Sequence, residues 1–441
     1  MATSAPPHAP ATGRQPDLLP VWPLWLLFAG FPAMWVLGLG GFATQIAAIP
    51  MAAYLAVRGQ VRVPRGLGVW FLFLIWMAFT VVEITSGSRV VGFVYRATLY
   101  LAATVAFLFV YNSSRERLPL QRLCAMATCF LGFVIVGGYL GVIAPHHSLP
   151  TPLEHLVPHQ IAANDLVGKM IHPPFAQVGQ SATSAVQPRP SAPFPYTNDW
   201  GINVALLVPF AFSWMAATTR LAVRLGLVAL LLLGLIPALV SLNRGMALGL
   251  GVGVVYVAVR LALRGHGKAL VWICTVVGVA VLVASAFHFG TRLNDRLANS
   301  STNQGRLSTY SATWDEALKS PVLGYGAPAS STVSVNGPDL GTQGQFWTVL
   351  YSSGLPGAGL FVLSMIGFAW ITRRAQNPAL MWLHAVPVVV IVLLPVYRVE
   401  ATELVLLMVA VAMVLREREP RLVRRPARPA DRIRRLSTAP T

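Results

Sequence analysis

The sequence predicts an all-α polytopic membrane protein with about 12 transmembrane helices and two long periplasmic (outer-face) loops containing short helices. Three observations carry this expectation. First, 55% of the 441 residues are hydrophobic and 11% are charged, whereas a soluble domain carries about 25% charged residues; the mean hydropathy is +0.62. Second, apolar runs at 21–38, 69–84, 227–242, 270–287 and 382–396 approach the roughly 17–25 residues that span a hydrocarbon core. Third, basic residues recur in every second link between apolar runs, as the positive-inside rule requires.

The elements follow in order. Residues 1–19 are Pro/Ala-rich without a long basic n-region and read as a disordered cytoplasmic leader rather than a cleaved signal peptide. The membrane domain covers 20–415, with spans expected near 20–38, 40–57, 67–85, 90–111, 122–144, 201–218, 223–241, 245–263, 269–288, 346–371, 379–396 and 401–415. Arg58, Arg62 and Arg65 follow the second span, and Arg115, Arg117 and Arg122 the fourth. Arg220 and Arg224 follow the sixth, Arg260, Arg264 and Lys268 the eighth, and Arg373 and Arg374 the tenth. This alternation places both termini in the cytoplasm of a bacterial inner membrane, with 416–441 as a basic tail. The opposite face carries loops at about 145–200 and 289–345, long enough to expect a function of them.

Composition excludes some classes. The net charge of +18 sits mainly in short links and the tail, where membrane insertion explains it, so no nucleic-acid partner is expected. Cys124, Cys129 and Cys274 fall inside apolar spans and read as packing residues. No Asp-x-Asp pair and no Walker-type phosphate loop occurs. His155 and His159, with His146 and His147 nearby, have a spacing open to a metal, but a solvated loop accounts for them, and no metal or other cofactor is expected.

Arginines on the outer face break the charge pattern: Arg89, Arg189, Arg244, Arg292, Arg296, Arg306 and Arg398. Arg89 and Arg398 lie close in sequence to Glu83 and Glu400 and read as snorkelling or acid-paired side chains. Arg292 and Arg296 read as a solvated helix face. Arg244 differs, because it sits in Ser241-Leu242-Asn243-Arg244-Gly245, a very short link between two apolar helices. A guanidinium at membrane depth is costly and usually has a partner or a task, and its planar fork suits phosphate. Arg306 heads a segment, 306–319, whose Leu307, Tyr310, Trp314 and Leu318 recur at helical spacing, predicting an amphipathic helix laid on the protein body.

Four patches resemble the O-antigen ligase and O-antigen polymerase superfamily. Arg189 through Asn198 is similar to that family's arginine, aromatic stretch and asparagine opening a span. The Ser241–Gly245 link resembles its "Ser-x-Ser-Arg-Gly". Gly305-Arg306, then Trp314, Ala317-Leu318, Pro321 and Gly324-Tyr325-Gly326, resemble its outer-loop pattern. The stretch from Gln343 to Leu350, followed by Gly354-Leu355-Pro356-Gly357, resembles its "His-Asn-x-x-Leu…Gly-Leu-Pro-Gly". Gln343 stands where ligases have a histidine, and glutamine cannot act as a base near neutral pH; this points to a polymerase, or to a ligase of another glycan.

The resemblance implies transfer of a glycan from a polyprenyl diphosphate to an acceptor sugar hydroxyl, with a glycan or glycolipid acceptor, the lipid bilayer and a chain-length regulator as partners. It implies catalytic roles for Arg244, Arg306 and Gln343, and substrate binding by Arg189, Asn198, Gln345 and Asp339. Asp199, Asp295, Asp339 and His288 remain open as a general base. A flippase for lipid-linked oligosaccharide and a non-catalytic envelope scaffold remain as alternatives; the peptidoglycan polymerase family, of similar membrane architecture, would instead call for an essential outer-loop acid. A transporter would place polar groups at mid-membrane, where Arg96 is the one candidate.

Overall fold

The computed structural model describes residues 19–178, 188–286, 302–328 and 340–419. Residues 1–18, the tail from 420, and Asp295, His288, Asp339, Arg292 and Arg296 lie outside the described residues. Among the described residues the chain is all-α, apart from one two-residue antiparallel pair, β1 (Ala176–Gln177) and β2 (Arg189–Pro190), and an isolated bridge between Ser148 and Pro174.

Among the described residues seven helices are long and apolar enough to cross a membrane, and two shorter apolar helices accompany them. The chain forms α1 (Trp22–Phe28), α2 (Phe31–Val36), α3 (Ala43–Arg58), α4 (Gly68–Phe79), α5 (Gly87–Asn112) and α6 (Leu120–Ile143). The short α7 (His159–Ala162) and α8 (Asp165–Ile171) follow, then α9 (Thr197–Ala217), α10 (Leu221–Ser241), α11 (Arg244–Ala262) and α12 (Gly267–Ala286). α13 (Thr302–Ala317), α14 (Gln345–Thr372), α15 (Pro378–Leu393) and α16 (Thr402–Arg418) complete the bundle.

Two expectations change. The apolar run at 20–38 is two short helices rather than one span. Pro23 and Pro32 each sit in a first turn, where a missing N–H costs nothing, and the chain turns between them at Ala29 and Gly30. α13 turns out most of the face that was expected to pack, all but Tyr310. Thr309, Thr313 and Ala317 are buried, whereas Leu307, Trp314 and Leu318 are 65%, 41% and 49% exposed. Small side chains let α13 approach α14 closely, with Tyr310 stacked on Trp347 at 4.6 Å between ring centroids. The larger apolar residues point away from the bundle.

α9 is the centre of the molecule. It packs on α6, α11 and α15, and 78% of its apolar stretch is buried, against 11% for α10. Membrane helices need not bury their apolar residues in protein, because lipid tails solvate them equally well; α10 is therefore peripheral. α16 packs on α5 and α15, with Leu404 through Val414 enclosed.

The basic links meet at one end of the bundle. Arg58 bonds the Asn112 carbonyl, Arg62 pairs with Glu419, and Arg115 reaches the Arg416 and Glu419 carbonyls. Arg260 donates to the Arg373 and Ala375 carbonyls. These are helix C-termini, whose unsatisfied carbonyls favour cations. The other end carries the candidate site.

Candidate functional site

The Ser241–Gly245 link is built by its own side chains. Leu242 adopts φ 47°, a left-handed conformation that costs a non-glycine residue about 1 kcal/mol and reverses the chain within one residue. Asn243 then caps α11, its Oδ1 accepting the Met246 N–H at 3.0 Å. The Asn243 amide donates to the Thr197 carbonyl at 3.0 Å, and its Oδ1 also accepts from the Tyr397 hydroxyl. Arg244 is the first residue of α11 and is half-buried.

Distant stretches converge on this link. Arg189 donates from Nε to the Ser241 carbonyl at 2.8 Å, at the C-terminus of α10. The Arg189 carbonyl accepts from the Thr197 hydroxyl at 3.2 Å, which ties β2 to the start of α9. The buried Tyr397 phenol stands in the positive fields of both Arg189 and Arg306. Gly245 lies so close that a Cβ there would enter the Tyr397 ring. Tyr397 thus bonds the Asn243–Arg244 link, which Arg189 braces at the Ser241 carbonyl.

A cavity of about 810 Å³ opens beside Tyr397. Arg89, Arg96, Asn198, Asp199, Gln343 and Arg398 are in its wall, with Tyr196, Asp165 and Gln177 on the side of the 145–200 segment. Its floor is ion-paired: Arg398 lies 3.6 Å from Asp199, and Arg96 3.3 Å from Glu400. Beneath it, Asn203 bonds Glu403 and Thr402. Tyr196 is set between two cations, with the Lys169 ammonium 4.5 Å and the Arg398 guanidinium 5.4 Å from its ring centroid.

The glycine-rich patches are hydrogen-bonded partners. α14 breaks at Gly354, whose φ of 66° suits glycine. Around this break, the Tyr325 and Gly326 N–H groups donate to the Tyr351 and Ser352 carbonyls at 2.9 and 2.8 Å, and the Leu355 N–H donates to the Pro321 carbonyl at 2.8 Å. Arg89 clamps the assembly by donating to the Tyr325 and Ala327 carbonyls at 2.7 and 2.5 Å.

The arginine partners therefore differ from sequence neighbours. Arg89 bonds carbonyls and not Glu83; Arg398 pairs with Asp199, while Glu400 pairs with Arg96. Of the residues singled out by sequence, Asn198 and Gln343 line the cavity, and the Gln343 carbonyl accepts from the Tyr310 hydroxyl at 3.4 Å. Gln345 is fully enclosed. Its Nε2 donates to the Tyr100 hydroxyl at 2.7 Å and its Oε1 accepts the Val399 N–H at 2.9 Å, so it fastens α14 and does not face the cavity. Sequence reasoning missed Tyr196 and Tyr397. The signal for Tyr397 was the polar interruption Tyr397-Arg398-Val399-Glu400 within an otherwise apolar region.

Among the described residues no group of three or more His, Cys, Asp or Glu side chains is gathered to hold a metal. The three cysteines are free, Cys124 buried and Cys129 and Cys274 exposed. No family model matches the chain, and no curated protein matches it.

Proposed function

We propose that this protein is a membrane glycosyltransferase of the O-antigen polymerase or ligase type, moving a glycan from a polyprenyl diphosphate to an acceptor sugar hydroxyl. In this reading the chain crosses the inner membrane about 12 times with both termini in the cytoplasm, and the cavity opens at the outer face. The observation that supports the proposal is that Arg189 bonds the Ser241 carbonyl and Tyr397 bonds Asn243 beside Arg244, while Tyr397 and Gln343, which accepts from Tyr310 on the helix that carries Arg306, belong to the cavity wall. At about 810 Å³ the cavity lies within the roughly 300–1,000 Å³ of ligand sites.

The acceptor hydroxyl attacks the anomeric carbon as the bond to the diphosphate breaks. Negative charge then grows on the departing phosphate oxygen. Guanidinium groups fixed by carbonyls and neighbouring helices can meet that charge without reorganising. Arg189, Arg244 and Arg306 take this role, while Asn198 and Gln343 orient the sugars. Asp165 and Asp199 are the described carboxylates in the cavity wall; Asp199 is held by Arg398, and the acceptor proton goes to it or to water.

Arg244→Ala and Arg306→Ala are expected to abolish glycan elongation or attachment in cells at normal protein levels, with lysine rescuing only in part. Wild-type glycan from both alanine variants would remove the proposal. Deleting the gene separates the two types. Single repeat units left on the acceptor indicate a polymerase; loss of every attached unit, with lipid-linked chains accumulating, indicates a ligase. The ion pair of Arg96, inside α5, with Glu400 favours one second reading, a flippase, which predicts flipping of lipid-linked sugar by purified protein without transfer.

A further inference from the structure

A second constellation lies outside the arginine site. Residues 147–149 pair back on 173–175: the Leu149 N–H donates to the Pro173 carbonyl at 3.0 Å, and the Phe175 N–H to the His147 carbonyl at 2.9 Å. This pairing sets Ser148 against His172, at the C-terminal end of α8. A helical turn at Pro152–His155 supplies Glu154 from the other side. The Ser148 Oγ is 2.5 Å from His172 Nε2, and His172 Nδ1 is 2.7 Å from Glu154 Oε2. All three side chains line an open cavity of about 1070 Å³, together with His146, His147 and His159.

These distances fix the roles. Glu154 as a carboxylate can only accept, so Nδ1 carries a proton, and in the neutral imidazole the Nε2 lone pair then faces the Ser148 hydroxyl. The hydrogen bond from His172 holds the Glu154 carboxyl below its ordinary range, which keeps it ionised. A nucleophile, a base and an orienting carboxylate in this order form the arrangement that serves acyl transfer on unrelated folds. Among the described residues the Ser148 N–H donates to no protein acceptor, which leaves it for a developing oxyanion. Asp165 and Gln177 belong to the walls of both this cavity and the arginine site.

We propose that Ser148, His172 and Glu154 form an ester-cleaving site whose substrates are O-acyl esters carried by the glycan. The identity of the carrier rests on the proposed glycosyltransferase function; the ester chemistry does not. Ser148 Oγ attacks the acyl carbonyl while His172 Nε2 takes its proton. The bond from the acyl carbon to the sugar oxygen breaks, and His172 returns the proton to that oxygen. Water then attacks the acyl–serine ester, giving a proton to His172. Ser148 leaves with that proton, and the carboxylic acid departs. The sum is ester plus water giving alcohol plus acid.

The test uses the full chain, purified in lipid nanodiscs, and a fluorophosphonate probe that reacts with activated serines. A wild-type adduct on Ser148, identified by peptide mass, is expected. It should vanish in Ser148→Ala and slow by at least about 100-fold in His172→Asn. Arg244→Ala should keep the adduct, which separates this site from the glycosyl-transfer site. No adduct on Ser148 in the wild-type protein would overturn the proposal, as would an undiminished labelling rate in His172→Asn; the wild-type result decides even where a variant fails to fold. In cells, Ser148→Ala should raise the O-acyl content of the glycan without changing its chain length. Unchanged O-acyl content would overturn the glycan as substrate.

Discussion

Removing the Tyr397 hydroxyl takes away one hydrogen bond to Asn243 and leaves the ring that packs on Gly245. Tyr397→Phe is therefore expected to fold normally and to lose about 10-fold in glycan transfer, the equivalent of one modest hydrogen bond; a purified-protein rate assay checks it. Gly245→Ala should do more harm, since a methyl there drives the ring out of place. Arg398→Ala leaves the Asp199 carboxylate, 18% exposed, without its ion-pair partner. Losing one member of an enclosed pair costs up to about 3 kcal/mol. Thermal unfolding should show that loss, and Asp199→Asn in the same chain should recover most of it. Glu154 gives the pH prediction. Its folded carboxyl is held below the ordinary value by His172, so its stabilisation is present above that ordinary value and is lost as pH falls through the lower folded one. Hydrogen-exchange protection around 147–175 should persist from neutral pH to roughly pH 4.5 and decline below it. Decline beginning above pH 6 would contradict this assignment.

At the scale of elements, α13 shows how a helical stripe can be read in the right place and on the wrong side. Leu307, Trp314 and Leu318 do recur at helical spacing, but in a membrane protein an apolar stripe can face lipid as readily as protein. The packed face is instead Thr309, Thr313 and Ala317, which a hydrophobicity pattern does not flag. α13 is then expected to lie at the membrane surface with Arg306 at its site end and its apolar side in the interface. A spin label at Leu318→Cys should be reached by oxygen better than by a water-soluble nickel complex. The reverse would place that face in water. The broken α14 carries a similar lesson. Gly354-Leu355-Pro356-Gly357 and Gly324-Tyr325-Gly326 are each legible as breaks, yet nothing in one short motif says that it hydrogen-bonds the other.

Across the whole molecule, the sequence makes the class plain because hydropathy and charge act over tens of residues. The seven long apolar helices among the described residues and the gathering of Arg58, Arg62, Arg115 and Arg260 at one end follow that pattern. The division of 20–38 into two short helices follows from Pro23, Gly30 and Pro32, whose effects are local and are smoothed out by a long window. Arg244 stood out because a cation in a short link between apolar helices is conspicuous, Arg306 because it heads a segment of helical spacing, and Arg189 through the resemblance of its patch. Arg89, Arg96 and Arg398 were harder to interpret, because their partners are distant in sequence. The central claim is that guanidinium groups from separate stretches of chain act on a lipid-borne diphosphate. The most direct measurement is glycosyl transfer by the purified protein in proteoliposomes, supplied with a polyprenyl-diphosphate-linked glycan and an acceptor glycan. Transfer by the wild type, falling by about 100-fold or more in Arg244→Ala and in Arg306→Ala, is the predicted result. Equal transfer by wild type and both variants, or movement of the lipid-linked glycan across the bilayer with no new glycosidic bond, would contradict it.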